Sequence, residues 1–245
     1  MNKYGLIGYP LGHSFSEKFF TEKFARENID AQYRLYPIEQ IEMVERLTSD
    51  KDMRGFNVTI PYKQQIIPLL DELDDEAAKV GAVNVVKIIR TANKTILKGY
   101  NSDIYGFYES IRPLIKAHHT KALVLGTGGA SKAVDAMLTK LGIEHKFVSR
   151  TPRNGGLAYD QIDAKIMDEY KVVVNTTPLG MSPNTDSCPQ LPYELFTPEH
   201  LAFDLVYNPD VTKFLQLAGE HGAVTKNGLE MLHLQAIRAW EIWNS

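Results

Sequence analysis

The stretch that decides the fold is Leu123-Val124-Leu125-Gly126-Thr127-Gly128-Gly129-Ala130-Ser131. It begins as an unbroken apolar run, which is typical of a strand covered on both faces in a parallel sheet. A glycine-rich turn follows at once, and apolar residues then recur at helical spacing from Ala133 to Leu141. Strand, glycine turn and helix in this order predict a dinucleotide site, because glycines let the backbone approach a pyrophosphate that the helix N-terminus stabilises.

The turn departs from the G-x-G-x-x-G pattern, since Ser131 stands at the third glycine position. A serine is still small enough for close packing of the helix on the strand. The predicted cofactor contacts of the turn are Gly126, Thr127, Gly128, Gly129 and Ala130. A tight turn without a ligand remains the alternative.

The end of the next strand predicts which dinucleotide is bound. Phe147-Val148 runs into Ser149-Arg150-Thr151-Pro152-Arg153, where an NAD enzyme usually carries an acidic residue for the ribose 2′-hydroxyl. Hydroxyls and guanidinium groups suit a 2′-phosphate instead. We therefore expect NADP, held by Ser149, Arg150, Thr151 and Arg153. An ordinary solvated surface charge is the alternative for either arginine alone, and a weaker one for the pair.

Short apolar runs alternate with helix-like periodicity along the whole chain, which predicts an α/β fold in two series. The first series is Leu6–Gly8, Tyr33–Ile38, Gly55–Ile60 and Ala82–Ile89; the second is Lys121–Leu125, Lys146–Val148, Val172–Val174 and Leu201–Phe203. A helix over Asp103–Ile115 is expected to link them, and Leu229–Trp243 is the last helix. The pattern alone does not say which domain that last helix joins.

Composition narrows the classes of function. The net charge of -3 comes with mixed signs and no basic stripe, so nucleic acid is not expected as a partner. No apolar segment is long enough for a signal peptide or a membrane helix, so we expect a cytoplasmic protein. The single cysteine excludes an intrachain disulfide, and the histidines lack metal-site spacing, so no metal is expected.

Polar residues gather at a few points of the first half. Asn57, Thr59 and Lys63 fall at the end of a predicted strand and the opening of a helix, and Ser14 and Ser16 lie near a helix start. Each also has a structural interpretation: the serines as N-caps, Asn84 as a turn residue, Lys63 as a solvated lysine and Asp103 as a helix cap.

Taken together, these segments resemble the shikimate dehydrogenase family along nearly the whole chain. In the first half the resemblance rests on Ser14-Phe15-Ser16, Asn57–Lys63 (N-V-T-x-P-x-K), Gly81–Asn84 (G-A-V-N) and Asn101–Gly106 (N-T-D-x-x-G, with Ser102 for threonine). In the second half it rests on Gly126–Ala130, Ser149–Thr151 (N-R-T), Asn175–Met181 (N-x-T-x-x-G-M), Asp204–Tyr207 (D-x-x-Y) and Asn227–Ala236 (N-G-x-x-M-L-x-x-Q-A).

Three features depart from the family pattern. Glu17 and Phe20-Thr21 stand where the family commonly has Pro and His-Asn, and Arg153 comes slightly earlier than the family's second basic cofactor residue. The segment between Thr151 and Val172 is also short, so a helix there is expected to be reduced.

The resemblance implies a two-domain α/β fold: a discontinuous substrate-binding catalytic domain, 1–102 and 228–245, and a Rossmann-like NADP-binding domain, 103–227, with a cleft between them. It implies shikimate and 3-dehydroshikimate as substrates, within aromatic amino acid biosynthesis, and a monomer or homodimer. Its implied catalytic residues are Lys63, as proton donor, and Asp103. Its implied substrate-binding residues are Ser14, Ser16, Asn57, Thr59, Asn84, Tyr207 and Gln235; Thr176, Met181 and Gly228 join the cofactor set.

Three other functions compete with this interpretation. A quinate or quinate/shikimate dehydrogenase shares the motifs and often accepts NAD, but the missing acid after Val148 argues against it. A non-catalytic ligand sensor on the same scaffold would not need Lys63 or Asp103, and both are present. A purely structural protein would not need the glycine turn.

Overall fold

The structure is a computed structural model that describes residues 1–12 and 14–245. The chain forms two compact units, residues 1–102 with 235–245, and residues 103–234. The first boundary between the two units falls after Ser102. The second boundary lies inside the last helix, between Leu234 and Gln235, so the first residues of that helix belong to the second unit.

The first unit contains a mixed six-stranded sheet with the order β2-β1-β3-β5-β6-β4. Its strands are β1 Asn2–Gly8, β2 Ala31–Pro37, β3 Met53–Val58, β4 Glu72–Leu73, β5 Val85–Arg90 and β6 Thr95–Tyr100. The parallel pairs are β1 with β2, β1 with β3, and β4 with β6; the antiparallel pairs are β3 with β5, and β5 with β6. Its helices are α1 Phe15–Arg26, α2 Val44–Thr48 and α3 Asp75–Val80.

Alternation along β1 divides the core of this unit between two clusters. Tyr4 and Leu6 belong to one, together with α1 and the end of the last helix, whereas Ile7 belongs to the other. Successive side chains of a strand point to opposite faces, so apolar residues are required on both.

The last helix, α8 Leu229–Asn244, joins this core through its final turns. Trp243 is buried and donates its indole N–H to the Val86 carbonyl at 3.0 Å. A Cβ on Gly55 would lie 2.3 Å from the same indole nitrogen. Only glycine leaves room for this ring, so the sheet and the helix are fitted to one another at that residue.

The second unit contains a parallel five-stranded sheet with the order β11-β10-β9-β7-β8. Its strands are β7 Lys121–Leu125, β8 Glu144–Val148, β9 Val172–Asn175, β10 Leu201–Asp204 and β11 Val224–Lys226. Its helices are α4 Ser102–Ile111, which starts at the last residue of the first unit, then α5 Gly129–Lys140, α6 Ala164–Glu169 and α7 Lys213–Glu220. In this doubly wound order the chain changes direction between β7 and β9, and ligands bind at such switch points. The predicted α/β fold with a Rossmann-like domain is confirmed.

Some predicted elements need correction. The predicted strand Ala82–Ile89 starts only at Val85, and β6 was not predicted although it pairs with β5 along its length. The short segment after Thr151 does contain a reduced helix, the six-residue α6.

The predicted helix opening at Lys63 is also wrong, because residues 60–66 form turns followed by a 3-10 turn at Ile67–Leu69. The Lys63 carbonyl accepts from the Val83 N–H at 2.7 Å, and the Ile67 N–H turns to Gln64 instead. The i to i-4 bond that would continue an α-helix is therefore not made.

Candidate active site

The glycine turn follows β7, in which Ala122, Leu123, Val124 and Leu125 are fully buried. Gly126 has φ +100°, and a Cβ there would lie 2.9 Å from Thr177 Cγ2 and 3.0 Å from Thr176 Oγ1, so this position requires glycine. Gly128 is the N-cap of α5, and a Cβ on Gly128 or Gly129 would meet no atom within 4 Å. The helix N-terminus thus opens onto free space, as an anion site requires.

Ser131 takes the third glycine position without disturbing the turn. It is buried, and its hydroxyl donates to the Gly128 carbonyl at 2.7 Å. The substitution seen in the sequence therefore fixes the turn instead of blocking it.

A cavity of about 400 Å³ lies in front of the turn, within the second unit. It is lined by Gly126, Thr127, Gly128, Ser149, Arg150, Thr151, Tyr159, Thr176, Thr177, Pro178 and Leu179. The carboxyl ends of β7, β8 and β9 all lead into residues of this set. The glycine turn and the residues predicted to bind the 2′-phosphate thus line the same cavity, although the sequence predicted them separately.

Other predicted cofactor residues do not line this cavity. Gly129 and Ala130 lie in the first turn of α5, Arg153 is exposed on the loop after β8, and Met181 is 45% exposed. Gly228 has a packing reason to be glycine, since a Cβ there would lie 2.2 Å from the Leu205 carbonyl oxygen.

Tyr159, Thr177, Pro178 and Leu179 were missed as cavity residues. The last three lie inside the motif Asn175–Met181, in which the family resemblance assigned only Thr176 and Met181 to the cofactor. Tyr159 had no motif to mark it. Burial raises the pKa of its phenol, and the nearby Arg150 guanidinium partly opposes that shift.

In the first unit, predicted substrate residues form one hydrogen-bonded chain. Buried Tyr33 donates to Asn57 Oδ1 at 2.8 Å, and Asn57 Nδ2 donates to the Asn84 carbonyl at 3.2 Å. The Asn84 side chain accepts from the Ser102 N–H at 2.7 Å and donates to Ser102 Oγ at 3.0 Å. Gln235 Oε1 lies 3.5 Å from Asn84 Nδ2.

Tyr33 and Ser102 were missed, and they join this chain at its two ends. Burial raises the pKa of the Tyr33 phenol well above its usual range, and a hydrogen bond to the Ser16 side chain opposes that shift. The sequence does mark Ser102, because it stands at the threonine position of the family motif in Asn101–Gly106.

The remaining predicted residues have mixed environments. Ser14 is the N-cap of α1 and accepts from the Ser16 N–H at 3.2 Å, so its structural interpretation holds as well. Thr59 and Lys63 are half-buried beyond the end of β3. In the second unit, Asp103 lies in the first turn of α4, where a carboxylate is stabilised by the helix dipole, and Tyr207 is 36% exposed.

Among the residues that the structure describes, no helix is both long and apolar enough to cross a membrane. The parallel sheet with its glycine turn at the switch point is the arrangement of a dinucleotide-binding domain.

Comparison with known proteins gives the family. Residues 6–86 match the shikimate dehydrogenase substrate binding domain. A shikimate dehydrogenase (NADP(+)) of Clostridium beijerinckii is 38% identical over 99% of this chain and 92% of its own. The crystal structure of shikimate dehydrogenase from Aquifex aeolicus has a TM-score of 0.87 at 35% identity, covering 99% of this chain and 92% of that one.

A third relative is a shikimate 5-dehydrogenase from Thermus thermophilus, solved in complex with NADP(H) and shikimate. It has a TM-score of 0.85 at 31% identity, covering 99% of this chain and 93% of that chain. The chain belongs to the shikimate dehydrogenase family.

Proposed function

We propose that this chain catalyses the reversible NADPH-dependent reduction of 3-dehydroshikimate to shikimate, in the shikimate pathway of aromatic amino acid biosynthesis. The observation that carries the proposal is the full-length match to NADP-dependent shikimate dehydrogenases, at 38% identity over 99% of the chain in one case. The cavity beside the glycine turn agrees with it chemically. A cytoplasmic location, and a monomeric or homodimeric state, belong to the same proposal.

The cofactor site fits an NADP molecule. Open space in front of Gly128 and Gly129 leaves room for a pyrophosphate at the N-terminus of α5. Ser149, Arg150 and Thr151 line the same cavity and supply a guanidinium and two hydroxyls for a 2′-phosphate. When bound, NADPH supplies the hydride that adds to the carbonyl carbon.

Reduction of a ketone also needs a proton on the carbonyl oxygen. We assign that proton to Lys63, since an ammonium group stabilises the developing negative charge and then donates to it, leaving a neutral amine. The lysine backbone is held by its hydrogen bond to Val83, at 2.7 Å. Asp103 is assigned to orient a substrate hydroxyl, because an ionised carboxylate only accepts hydrogen bonds.

The polar residues of the first unit divide into two roles under this proposal. Asn57 and Asn84 are buried. The Asn57 amide accepts from Tyr33 and donates to the Asn84 backbone carbonyl, and the Asn84 amide bonds to Ser102. They hold the site together. Ser14, Ser16, Thr59 and Gln235 are half-buried and suit a ligand that carries hydroxyls and a carboxylate.

The test is reduction of nicotinamide by the purified chain, followed by absorbance. Shikimate with NADP⁺ is expected to give the fastest turnover among the four pairs of shikimate or quinate with NADP⁺ or NAD⁺. Faster turnover of quinate would reassign the substrate. If the protein binds NADP⁺ but turns over neither substrate, the result would favour the non-catalytic ligand sensor instead.

A further inference from the structure

A buried carboxylate stands behind the cofactor cavity without lining it. Asp204 is the last residue of β10 and is fully buried. Its Oδ1 accepts from Asn175 Nδ2 at 2.9 Å and from the Val206 N–H at 3.0 Å, and its Oδ2 accepts from the Thr212 hydroxyl at 2.6 Å. A carboxylate is costly to bury, so its place here calls for a reason.

The reason lies in the orientation of the Asn175 amide. An amide can present either its oxygen or its nitrogen, whereas a carboxylate accepts only. Asp204 therefore turns Asn175 Nδ2 toward itself and Asn175 Oδ1 toward Thr177. That oxygen accepts from the Thr177 N–H at 3.0 Å and from the Thr177 hydroxyl at 2.7 Å.

Thr177 belongs to the cavity wall that faces the glycine turn. Its Cγ2 would lie only 2.9 Å from a Cβ on Gly126, and Thr176 donates to the Leu125 carbonyl at 2.6 Å. The wall and the turn are thus packed with no free space at this point. A shift of the wall would change the shape of the cavity where the dinucleotide is proposed to bind.

We propose that Asp204 is a positioning residue for the cofactor site: through Asn175 it fixes the Thr176–Thr177 wall against the glycine turn. This rests on the proposed use of that cavity for NADP. Thr212 donates its hydrogen bond to the other carboxylate oxygen of Asp204, Oδ2, and it is the N-cap of α7. Thr212 therefore offers a control that perturbs the same carboxylate but not Asn175.

The test compares Asp204→Ala, Asp204→Asn and Thr212→Val with the wild type. The Kd for 2′,5′-ADP and the KM values for NADP⁺ and shikimate are measured below the unfolding temperature of each variant. Asp204→Ala is expected to raise Kd and the KM for NADP⁺ about tenfold, as for loss of one to two hydrogen bonds, with little change in the KM for shikimate.

Asp204→Asn is expected to stay within about threefold of the wild type. Val206 donates to the side-chain oxygen of residue 204, so the amide nitrogen of an asparagine would face Thr212, whose hydroxyl can accept. Thr212→Val is expected to lower the unfolding temperature while leaving Kd near the wild-type value. Rescue by asparagine and the split between the two KM values separate positioning from general destabilisation.

Equal Kd values for wild type and Asp204→Ala would overturn the proposal, as would a Thr212→Val variant that binds as poorly as Asp204→Ala. If Asp204→Ala does not fold, the pair Thr177→Val and Thr177→Ser tests the same link from its half-buried end. Valine is expected to weaken 2′,5′-ADP binding and serine to keep it; the reverse order would overturn the proposal. Failure of the wild type to oxidise shikimate would instead contradict the proposed function, because binding of 2′,5′-ADP does not depend on it.

Discussion

Replacing Asp204 by asparagine is expected to change how the stability of the second unit depends on pH. Burial raises the pKa of this carboxyl from 3.8 to about 6, against the opposing hydrogen bonds from Thr212, Val206 and Asn175. The folded state thus holds the proton more tightly than the unfolded state. The stability that this provides is complete below the unfolded pKa of 3.8 and is lost as the pH rises through about 6.

The size of the effect follows from the difference between the two pKa values, 3.8 and about 6. Each pKa unit corresponds to about 1.4 kcal/mol, so the total loss on raising the pH is about 3 kcal/mol. About 2 kcal/mol of it falls between about pH 4.5 and about pH 7, where measurement is practical. Asparagine does not titrate, so the stability of the wild type minus that of Asp204→Asn is expected to fall by this amount.

Other titratable groups make the protein less stable as the pH falls, which is the opposite direction. The wild type and Asp204→Asn share these groups. Hydrogen bonds to basic side chains lower the pKa values of the Asp50 and Glu169 carboxyls. Burial lowers those of the His119 and His200 imidazoles. In all four cases stability is lost as the pH falls. Their contributions cancel in the difference between wild type and variant.

The assay is urea unfolding at several pH values, followed by far-ultraviolet circular dichroism. Both tryptophans, Trp240 and Trp243, belong to the first unit, so their fluorescence separates its transition from that of the second unit. Asp168→Asn, on a side chain that is 85% exposed in the second unit, is the matched control. A wild-type minus Asp204→Asn difference that stays flat from about pH 4.5 to about pH 7 would refute the assigned pKa shift.

Three further predictions concern the proposed site. Lys63→Ala is expected to lower kcat by about 10²–10⁴ with little change in the KM for shikimate, and a normal kcat with a raised KM would reduce Lys63 to a binding residue. Arg150→Ala is expected to weaken NADP binding roughly tenfold to a hundredfold and NAD binding far less, as titration with each cofactor would show; equal losses would assign Arg150 to the fold or the pyrophosphate. Tyr159→Phe keeps the ring in the cavity wall and removes only the hydroxyl near Arg150. We expect it to weaken binding of 2′,5′-ADP about threefold to tenfold and to leave binding of 5′-AMP unchanged, which would place that hydroxyl at the 2′-phosphate.

The sequence predicted best where local chemistry decides the structure. Leu123–Leu125 is apolar without interruption and fully buried, and the glycines after it form the turn. Lys63 shows the limit. Its predicted helix fails because the lysine carbonyl bonds to Val83, a residue twenty positions away that periodicity cannot reveal. The strand β6 was missed for a similar reason, since it exists through its pairing with β5.

The lining of the cavity beside the glycine turn was predicted only in part, for the same reason. Tyr159 reaches this cavity because the loop after β8 returns beside that strand, with Leu157 bridging to Val148. Neither its residue type nor its spacing marks it. Arg153 had the right residue type and lies six positions before Tyr159, yet it does not line the cavity.

The motifs of this family therefore mix two kinds of residue that a sequence cannot distinguish. In Asn175–Met181, Thr176 and Thr177 line the cavity, while Asn175 is fully buried and holds them. In Asp204–Tyr207 the aspartate likewise lies inside, whereas Tyr207 is exposed. Asn175 Nδ2 donates a hydrogen bond to Asp204 Oδ1 at 2.9 Å, so the two motifs are joined in one hydrogen-bonded network. Substitutions that break this bond are expected to weaken cofactor binding, although neither Asn175 nor Asp204 lines the cavity.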